Sequence, residues 1–455
     1  MKKLFIVFAV WFVFTPLQAQ ENLKAKYVFF FIGDGMGISQ VNVTEAYLAD
    51  KDGYIGVKKL EFTKFPNVGL VTTYAKDRYI TDSAAAGTAL STGNKTSVET
   101  IGMDASRRKK FKNMAEMAKE AGMRVGIIST VNMNDATPST FYAHQAERSM
   151  LKEIANDLLN SNFDFFGGGW VQKADIRDAL IKKGYVVAND RSSFGKLKKG
   201  VEKAYAVCPV LDKDQACRYS IDQGSKEISL KEFVSKAVDL LDNPNGFFIM
   251  AEAGKIDWAN HTNDAGSAIK DVIALNDAVK EAVKFYNKHP KETLIVVTTD
   301  HETGGFAQGT YKMAYSTDFK LLGKQKVSAQ VLEDKIADYK KNHSMDKADI
   351  KDLAPYLKSN FGLNDDDIKG LEPYFHLSIA PKTKEVKAIY GKYNEPLTIE
   401  IVRLVGRKAG ISWTTSSHTG MPVGVFAMGN GSDKFTGYID NTDVAKGLMC
   451  AMGVK

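Results

Sequence analysis

Two textures alternate along the chain: short runs in which every residue is apolar, and longer stretches in which apolar positions recur every three or four residues. Tyr27-Val28-Phe29-Phe30-Phe31-Ile32 is a run of the first kind and ends at Gly33-Asp34-Gly35. Residues 124–129 (RVGIIS), Phe247-Phe248-Ile249-Met250 ahead of Glu252, and Leu294-Ile295-Val296-Val297 ahead of Asp300-His301 repeat it. A strand with one wet face alternates, whereas a strand covered on both faces does not. These runs therefore predict neighbouring strands of a buried sheet. Helical periodicity precedes or separates them at 114–120 and 268–286, and Ser229-Leu230-Lys231-Glu232 is a capping box that opens another helix. The predicted class is α/β: a large central, mostly parallel sheet flanked by helices on both faces.

All four runs finish in an acidic residue, a histidine or a glycine turn, and ligands of open α/β sheets bind beyond the carboxyl ends of strands. The stretch 306–408 differs, being rich in lysine and aspartate with helical segments at 327–341 and 348–358, and reads as an insertion rather than a separate domain. Within it, Asn364-Asp365-Asp366-Asp367 lacks the glycine and distal glutamate of a calcium loop and reads as a helix start.

The beginning of the chain has another purpose. Lys2 and Lys3, an apolar run over 4–14 and a small-residue exit at Ala19 predict a secretory signal over 1–19, cleaved near Ala19/Gln20, and hence an exported protein, periplasmic or secreted. The run is shorter than the roughly 20 residues of a membrane span, and no later stretch is apolar for that length, so no membrane span is expected. The chain of 455 residues carries a formal charge of +7, and loss of the two lysines lowers it to +5. Basic patches at 107–110 and 196–199 are short and lack interleaved aromatics, so they read as solvated faces, not as a nucleic-acid-specific surface. With three cysteines and seven histidines, a cysteine-based zinc framework is not expected, and any metal site must draw mainly on carboxylates and a few imidazoles. In an oxidising compartment Cys208 and Cys217 are expected to form a local disulfide, leaving Cys450 as a buried free thiol.

Candidate chemistry then falls into blocks. In Thr81-Asp82-Ser83-Ala84-Ala85-Ala86-Gly87-Thr88, Thr81 or Asp82 can cap a helix whose first turn holds Ser83, where free N–H groups favour an anion or an alkoxide. Asp257 and His261 stand four apart, on one helical face, close after Glu252. Asp300-His301 stands at a strand end before a glycine turn, and His418 lies in the small-residue loop Ser416-Ser417-His418-Thr419-Gly420. Gly33-Asp34-Gly35-Met36-Gly37 bends the backbone around a carboxylate. Asp135-Ala136-Thr137-Pro138 is expected to begin a helix that reaches Arg148 about three turns later. Mixed nitrogen and oxygen donors suit zinc, and the all-oxygen set Asp34, Thr137 and Glu252 suits magnesium. A serine, paired metals and an arginine fork make a phosphoryl-transfer site. His144 is expected on the helix between Asp135 and Arg148, packed or supporting the site, while His289, His343 and His376 read as surface residues.

In this order the blocks, together with Phe-Gly-Gly-Gly at 166–169, resemble the alkaline phosphatase family over nearly the whole mature chain, which would place a single catalytic domain at 20–455. The resemblance implies one zinc held by Asp257, His261 and His418 and a second held by Asp34, Asp300 and His301. It implies magnesium at Asp34, Thr137 and Glu252, with Asp135 supporting its waters. Ser83 would be the nucleophile, ionised beside the second zinc, and Arg148 the phosphate clamp; a phosphoserine would form and be hydrolysed by water on the first zinc. Trp258 stands where some branches carry a lysine or histidine that reaches the phosphate through water, a charge that tryptophan does not supply. The 306–408 insertion resembles the family's variable crown. Broad phosphate monoesters as substrates and a homodimer are further implications. The diesterase and sulfatase relatives of such a core fit less well, because Thr137, Glu252 and Arg148 are all present and the Ser83 block lacks Cys/Ser-x-Pro-x-Arg. A non-catalytic binding protein fits less well too, because every expected catalytic position is filled.

Overall fold

The computed structural model describes residues 24–311, 313–391 and 394–454, so the expected signal at 1–19 lies outside the described residues. Fourteen strands occur among them: β1 (Tyr27–Ile32), β2 (Asn67–Thr72), β3 (Arg124–Ser129), β4 (Phe165–Gly168), β5 (Val186–Ala188), β6 (Ala204–Val207), β7 (Phe247–Glu252), β8 (Thr293–Thr298), β9 (Glu302–Thr303), β10 (Ala307–Gln308), β11 (Ile411–Ser412), β12 (His418–Thr419), β13 (Val423–Gly429) and β14 (Gly437–Asp440). Ten form one sheet in the order β14-β2-β13-β8-β1-β7-β3-β4-β6-β5, and β9–β12 and β10–β11 form two small antiparallel ribbons. Only β13 runs against its neighbours in the large sheet.

The four all-apolar runs are the adjacent parallel strands β8, β1, β7 and β3. Their register is flush at the carboxyl end: Ile32 pairs with both Glu252 and Thr298, and Ser129 pairs with Glu252. Burial on both faces explains the lack of alternation. Val28, Phe30 and Ile32 of β1 enter one core beneath the Ser83–Thr92, Met114–Glu120 and Asn441–Met452 helices. Phe29 and Phe31 enter the opposite core beneath Leu230–Leu241 and Ala265–Tyr286. The Ser229 capping box forms as expected, and Asn364 caps the Asp365–Gly370 helix rather than a calcium loop.

The 306–408 stretch builds a third apolar cluster. Leu332, Ile336, Leu357, Phe361 and Phe375 pack with Leu397 and Ile401 of the Pro396–Ala409 helix and with Val43 and Tyr47 of the Ile38–Lys51 helix. The helix expected at 327–341 is Ala329–Asn342. The one expected at 348–358 is instead a 3-10 turn, Ile350–Asp352, followed by Ala354–Phe361, because Pro355 at the start of the second helix offers no N–H to continue the first.

Three further expectations need correction. The helix beginning near Asp135 spans only Ala136–Ser139. Gln145 then pairs with Ile101 across the chain, and the His144 N–H donates to Asp157, so these long-range partners take the groups a helix needs. His144 is accordingly in a loop, its ring bonded to Gly102 O (3.0 Å) and Glu116 (2.8 Å), a packed histidine away from the site. Cys208 and Cys217 are joined as a disulfide, but Cys450 is exposed rather than buried. The inward face of its helix is taken by Val444, Ala445, Leu448, Ala451 and Met452, and Cys450 falls off that face. Native protein is therefore expected to titrate one thiol with a disulfide reagent such as DTNB, and none after Cys450→Ser. Titration of more than one thiol in the native wild type would contradict the pairing.

Candidate active site

The flush strand ends gather the acidic blocks at one edge of the sheet. Asp34 follows β1 by two residues, Glu252 ends β7, and Asp300-His301 follows β8. Gly35 (φ 67°) lets the turn after β1 close, since a Cβ there would lie 2.9 Å from the Asp257 backbone, and its N–H donates to Asp300 Oδ1 (3.2 Å). After β3 the chain turns into Ala136–Ser139, bringing Thr137 Oγ1 within 3.2 Å of Asp34 Oδ2 and 3.4 Å of Asp300 Oδ2. Glu252 accepts a hydrogen bond from Ser129, a partner the sequence blocks do not single out.

Ser83 is the first residue of its helix, with Asp82 as N-cap accepting from the Ala85 N–H (3.0 Å). Its hydroxyl is buried and stands 3.1 Å from His301 Nε2. Asp257 and His261 share one face of the short helix Lys255–His261, with Asp257 Oδ2 3.2 Å from His261 Nε2. His418 arrives on β12, which pairs with β9 so that His418 lies opposite Thr303. The Nε2 atoms of His261 and His418 are 3.2 Å apart, and their Nδ1 atoms meet carbonyl oxygens of Ser416 (2.7 Å) and Thr81 (2.9 Å). Donation from Nδ1–H to a carbonyl leaves Nε2 of each ring as the nitrogen that can bind a cation in place of a proton, and both Nε2 atoms face one point, an arrangement suited to a shared cation.

Two groups of donor atoms result, each within 4.8 Å: Asp257, His261 and His418; and Asp34, Asp300 and His301. They are the sets expected from sequence for two zinc ions. Thr137 and Glu252 lie beside the second group, as the magnesium set requires. Asp34 Oδ1 and Glu252 Oε1 are buried and have no hydrogen-bond partner. Burial and then the neighbouring Asp300, Asp257 and Glu252 charges push Asp34 far above the usual carboxylate range. Burial pushes Glu252 up to about 8 and, with Asp257, Asp300 to about 6. Burial and the neighbouring His418 push His301 well below its usual value, so its ring stays neutral. Burial opposes charging of His261 too, yet Asp257 raises it to about 9. Crowded, orphaned oxygens and converging imidazole nitrogens fit cations of zinc and magnesium type.

Arg148 is half-buried and forked between two carboxylates, with Nη2 3.0 Å from Asp135 Oδ1 and Nη1 3.4 Å from Asp82 Oδ2. Burial disfavours its charge, but Asp135 and Asp82 more than offset this and hold it protonated. It lines a cavity of about 500 Å³ with Asp135, Gln172 and Trp258. Sequence reasoning missed Thr303, whose hydroxyl bonds Asp257 (2.5 Å) and lies 3.2 Å from His301 Nδ1, although it stands only two residues after His301, directly before the glycine turn. It also missed Ser129 and Lys255, each lying next to a recognised block with nothing in its own surroundings to mark it.

The fold and these groups define a class: an α/β enzyme with a buried serine at a helix N-terminus between two carboxylate–imidazole clusters, the equipment of metal-assisted phosphoryl transfer. The family model described as Alkaline phosphatase matches residues 25–167 and 160–454. Alkaline phosphatase 3 of Bacillus subtilis is 33% identical over 96% of this chain and 92% of its own length, and Alkaline phosphatase 4 of the same organism is 32% identical over 94% and 89%. The cold-active alkaline phosphatase of Shewanella sp. superposes with a TM-score of 0.80 at 28% identity, covering 94% of this chain and 99% of that one. The Thermus thermophilus enzyme gives 0.80 at 25%, covering 98% and 96%. The chain belongs to the alkaline phosphatase family and is a metal-dependent phosphomonoesterase. No helix among the described residues is long and apolar enough to cross a membrane.

The raised carboxyls set a pH dependence for the ion-free protein. A carboxyl whose folded pKa is raised stabilises the fold fully below its ordinary value of 4.5, and that stability is lost as pH rises through about 8 for Glu252. Chelator-treated protein is therefore expected to lose melting temperature between pH 6 and 9, and Glu252→Gln to flatten that slope. Added zinc and magnesium are expected to raise the melting temperature more at pH 9 than at pH 6, because at pH 6 protons compete for the same oxygens. A chelated wild type and Glu252→Gln with identical pH slopes would contradict this.

Proposed function

We propose that this chain hydrolyses phosphate monoesters through a phosphoserine at Ser83, with two zinc ions held by Asp257, His261 and His418 and by Asp34, Asp300 and His301. Magnesium is assigned to Asp34, Thr137 and Glu252, with Asp135 beside it. The observation that carries this reading is the Ser83 hydroxyl at a helix N-terminus, 3.1 Å from His301 Nε2 and next in sequence to the Asp82 that grips Arg148. Cations in these sites would lower the proton affinity of the Ser83 hydroxyl and offset charge on the leaving oxygen.

The side chains carry the rest. His301, whose Nε2 lies 3.1 Å from Ser83 Oγ, would hold a cation beside that oxygen, and the helix N-terminus favours its alkoxide. Arg148 directs its remaining N–H donors at two phosphoryl oxygens, held in place by Asp82 and Asp135. Ser83 Oγ forms a bond to phosphorus as the ester P–O bond breaks, and the alcohol leaves with a proton. Water then attacks the same phosphorus from the vacated side, the Ser83–phosphorus bond breaks, and inorganic phosphate departs as Ser83 regains its proton.

The chain is further proposed to be exported after cleavage near Ala19, which its disulfide supports. The 306–408 stretch is proposed as a crown-like insertion at the site's mouth, supported by Gln330 and Glu333, which line a cavity with Trp258 and His261. A homodimer is proposed across the β14–β2 edge. There Val68, Leu70 and Tyr438 are exposed, and Leu70 pairs in register with Tyr438.

Ser83→Ala is expected to keep its zinc and its fold while turnover of p-nitrophenyl phosphate falls on the order of 10³-fold or more and acid-quenched phosphoenzyme vanishes. Undiminished turnover would refute the nucleophile. Arg148→Ala is expected to lose about 10- to 100-fold in kcat/KM, and bis-p-nitrophenyl phosphate to be the poorer substrate of the wild type. Sedimentation is expected to give a dimer, converted to monomer by Leu70→Glu with Tyr438→Glu; a monomeric wild type would remove the dimer.

A further inference from the structure

Behind the phosphate cavity lies a positive charge that the chemistry above does not use. Lys255 opens the helix carrying Asp257, Trp258 and His261, and its side chain is 0% exposed. Its ammonium lies 2.5 Å from Asp212 Oδ2, 4.4 Å from the centre of the Tyr219 ring and 4.2 Å from that of Trp258. Asp212 is equally fixed. Its Oδ1 accepts from the N–H groups of Asp214 (2.8 Å) and Ala216 (2.9 Å), inside the loop that the Cys208–Cys217 disulfide closes. One residue serves both parts: Thr130 O accepts from the Cys217 N–H (3.0 Å), and Thr130 Oγ1 accepts from the Lys255 N–H (3.2 Å).

A desolvated ammonium is held strongly at the face of an indole, and a fully buried one has no competing water. The Trp258 ring is thus gripped from behind, while the half-buried residue also lines the cavity of about 500 Å³ that contains Arg148 and Asp135. A flat apolar ring held beside a phosphate clamp is a stacking surface for a planar group attached to that phosphate.

We propose that Lys255 is a positioning residue: paired with Asp212 on the disulfide-closed loop, it fixes the Trp258 indole as a wall of the phosphate cavity, and the site therefore favours monoesters with planar aromatic leaving groups. This rests on the monoesterase reading and names a preferred substrate class for the same site.

The test uses the zinc- and magnesium-loaded enzyme and compares competitive inhibition by phenylphosphonate and by methylphosphonate. Lys255→Met alone strands a buried carboxylate and threatens the fold, so the variant is Lys255→Met with Asp212→Asn, checked for melting temperature and metal content. It is expected to lose phenylphosphonate affinity roughly three- to tenfold relative to methylphosphonate, the range of a lost aromatic contact. Trp258→Ala, which leaves the buried pair intact, is expected to lose the same preference, and adding it to the double variant to lose no more. Lys255→Arg is expected to retain the preference. A phenyl-to-methyl ratio unchanged in both the double variant and Trp258→Ala would overturn the proposal, and so would loss in Trp258→Ala with none in the double variant. A wild type that binds both phosphonates by calorimetry but hydrolyses no monoester would overturn the monoesterase reading instead.

Discussion

Like charge held out of water is the constraint on which this structure turns. Asp34, Glu252, Asp257 and Asp300 are all buried at one edge of the sheet, where two ionised carboxylates about 4 Å apart would repel by about 4 kcal/mol at an effective dielectric near 20. The site answers in two ways without any ion: protons are drawn onto Asp34 and Glu252, and His261 charges beside Asp257. Both answers are provisional in a physical sense, because protons leave as pH rises and cations of higher charge displace them. The flush register of four parallel strands makes this crowding unavoidable, since it delivers their terminal residues to a single line.

Strands alone do not complete the arrangement. His418 comes from the far end of the chain and is held at three points: β12 pairs with β9, its Nδ1 meets Thr81 O, and its ring stacks on His301 at 3.6 Å. β9 directly follows Asp300-His301, so the ribbon ties the two donor groups to each other. The Thr81 carbonyl belongs to the turn that presents Ser83. Displacing His418 would therefore disturb both donor groups and Ser83 together, which is how a partly exposed residue of a two-residue strand comes to be as constrained as a buried one.

Much of this was legible in the sequence because it is local. All-apolar runs mark doubly covered strands, and the polar residues after each run sit at its carboxyl end, so Asp34, Glu252 and Asp300-His301 could be placed before any fold was seen. The i, i+4 spacing of Asp257 and His261 and the capped start at Ser83 are local in the same sense. Arg148 was recognised but wrongly placed on a helix, because its position depends on Ile101 pairing with Gln145, a contact between segments more than 40 residues apart. Cys450 was misplaced because one residue's rotation around a helix decides its burial. Lys255 escaped notice altogether: a lysine beside a metal-binding motif reads as solvated until Asp212, 43 positions earlier, is seen against it.

Of the cations around the cavity that Arg148 and Trp258 line, only the exposed Lys173 stands outside a buried ion pair. Arg148 is already shared by Asp82 and Asp135, and Lys255 is neutralised by Asp212 and sealed behind aromatic rings. A phosphate entering the cavity meets a guanidinium whose two partner carboxylates it must rival, and at Trp258 it meets no charge at all. Attraction then comes from Lys173 at the cavity wall, from the helix N-terminus and from any cations the carboxylate–imidazole groups hold, which would make anion affinity depend on metal loading. The same balance limits how tightly a product dianion is held. An enzyme whose last step is phosphate release gains from a clamp already half-satisfied by its own side chains, since a stronger one would slow turnover by retaining what the chemistry has finished with.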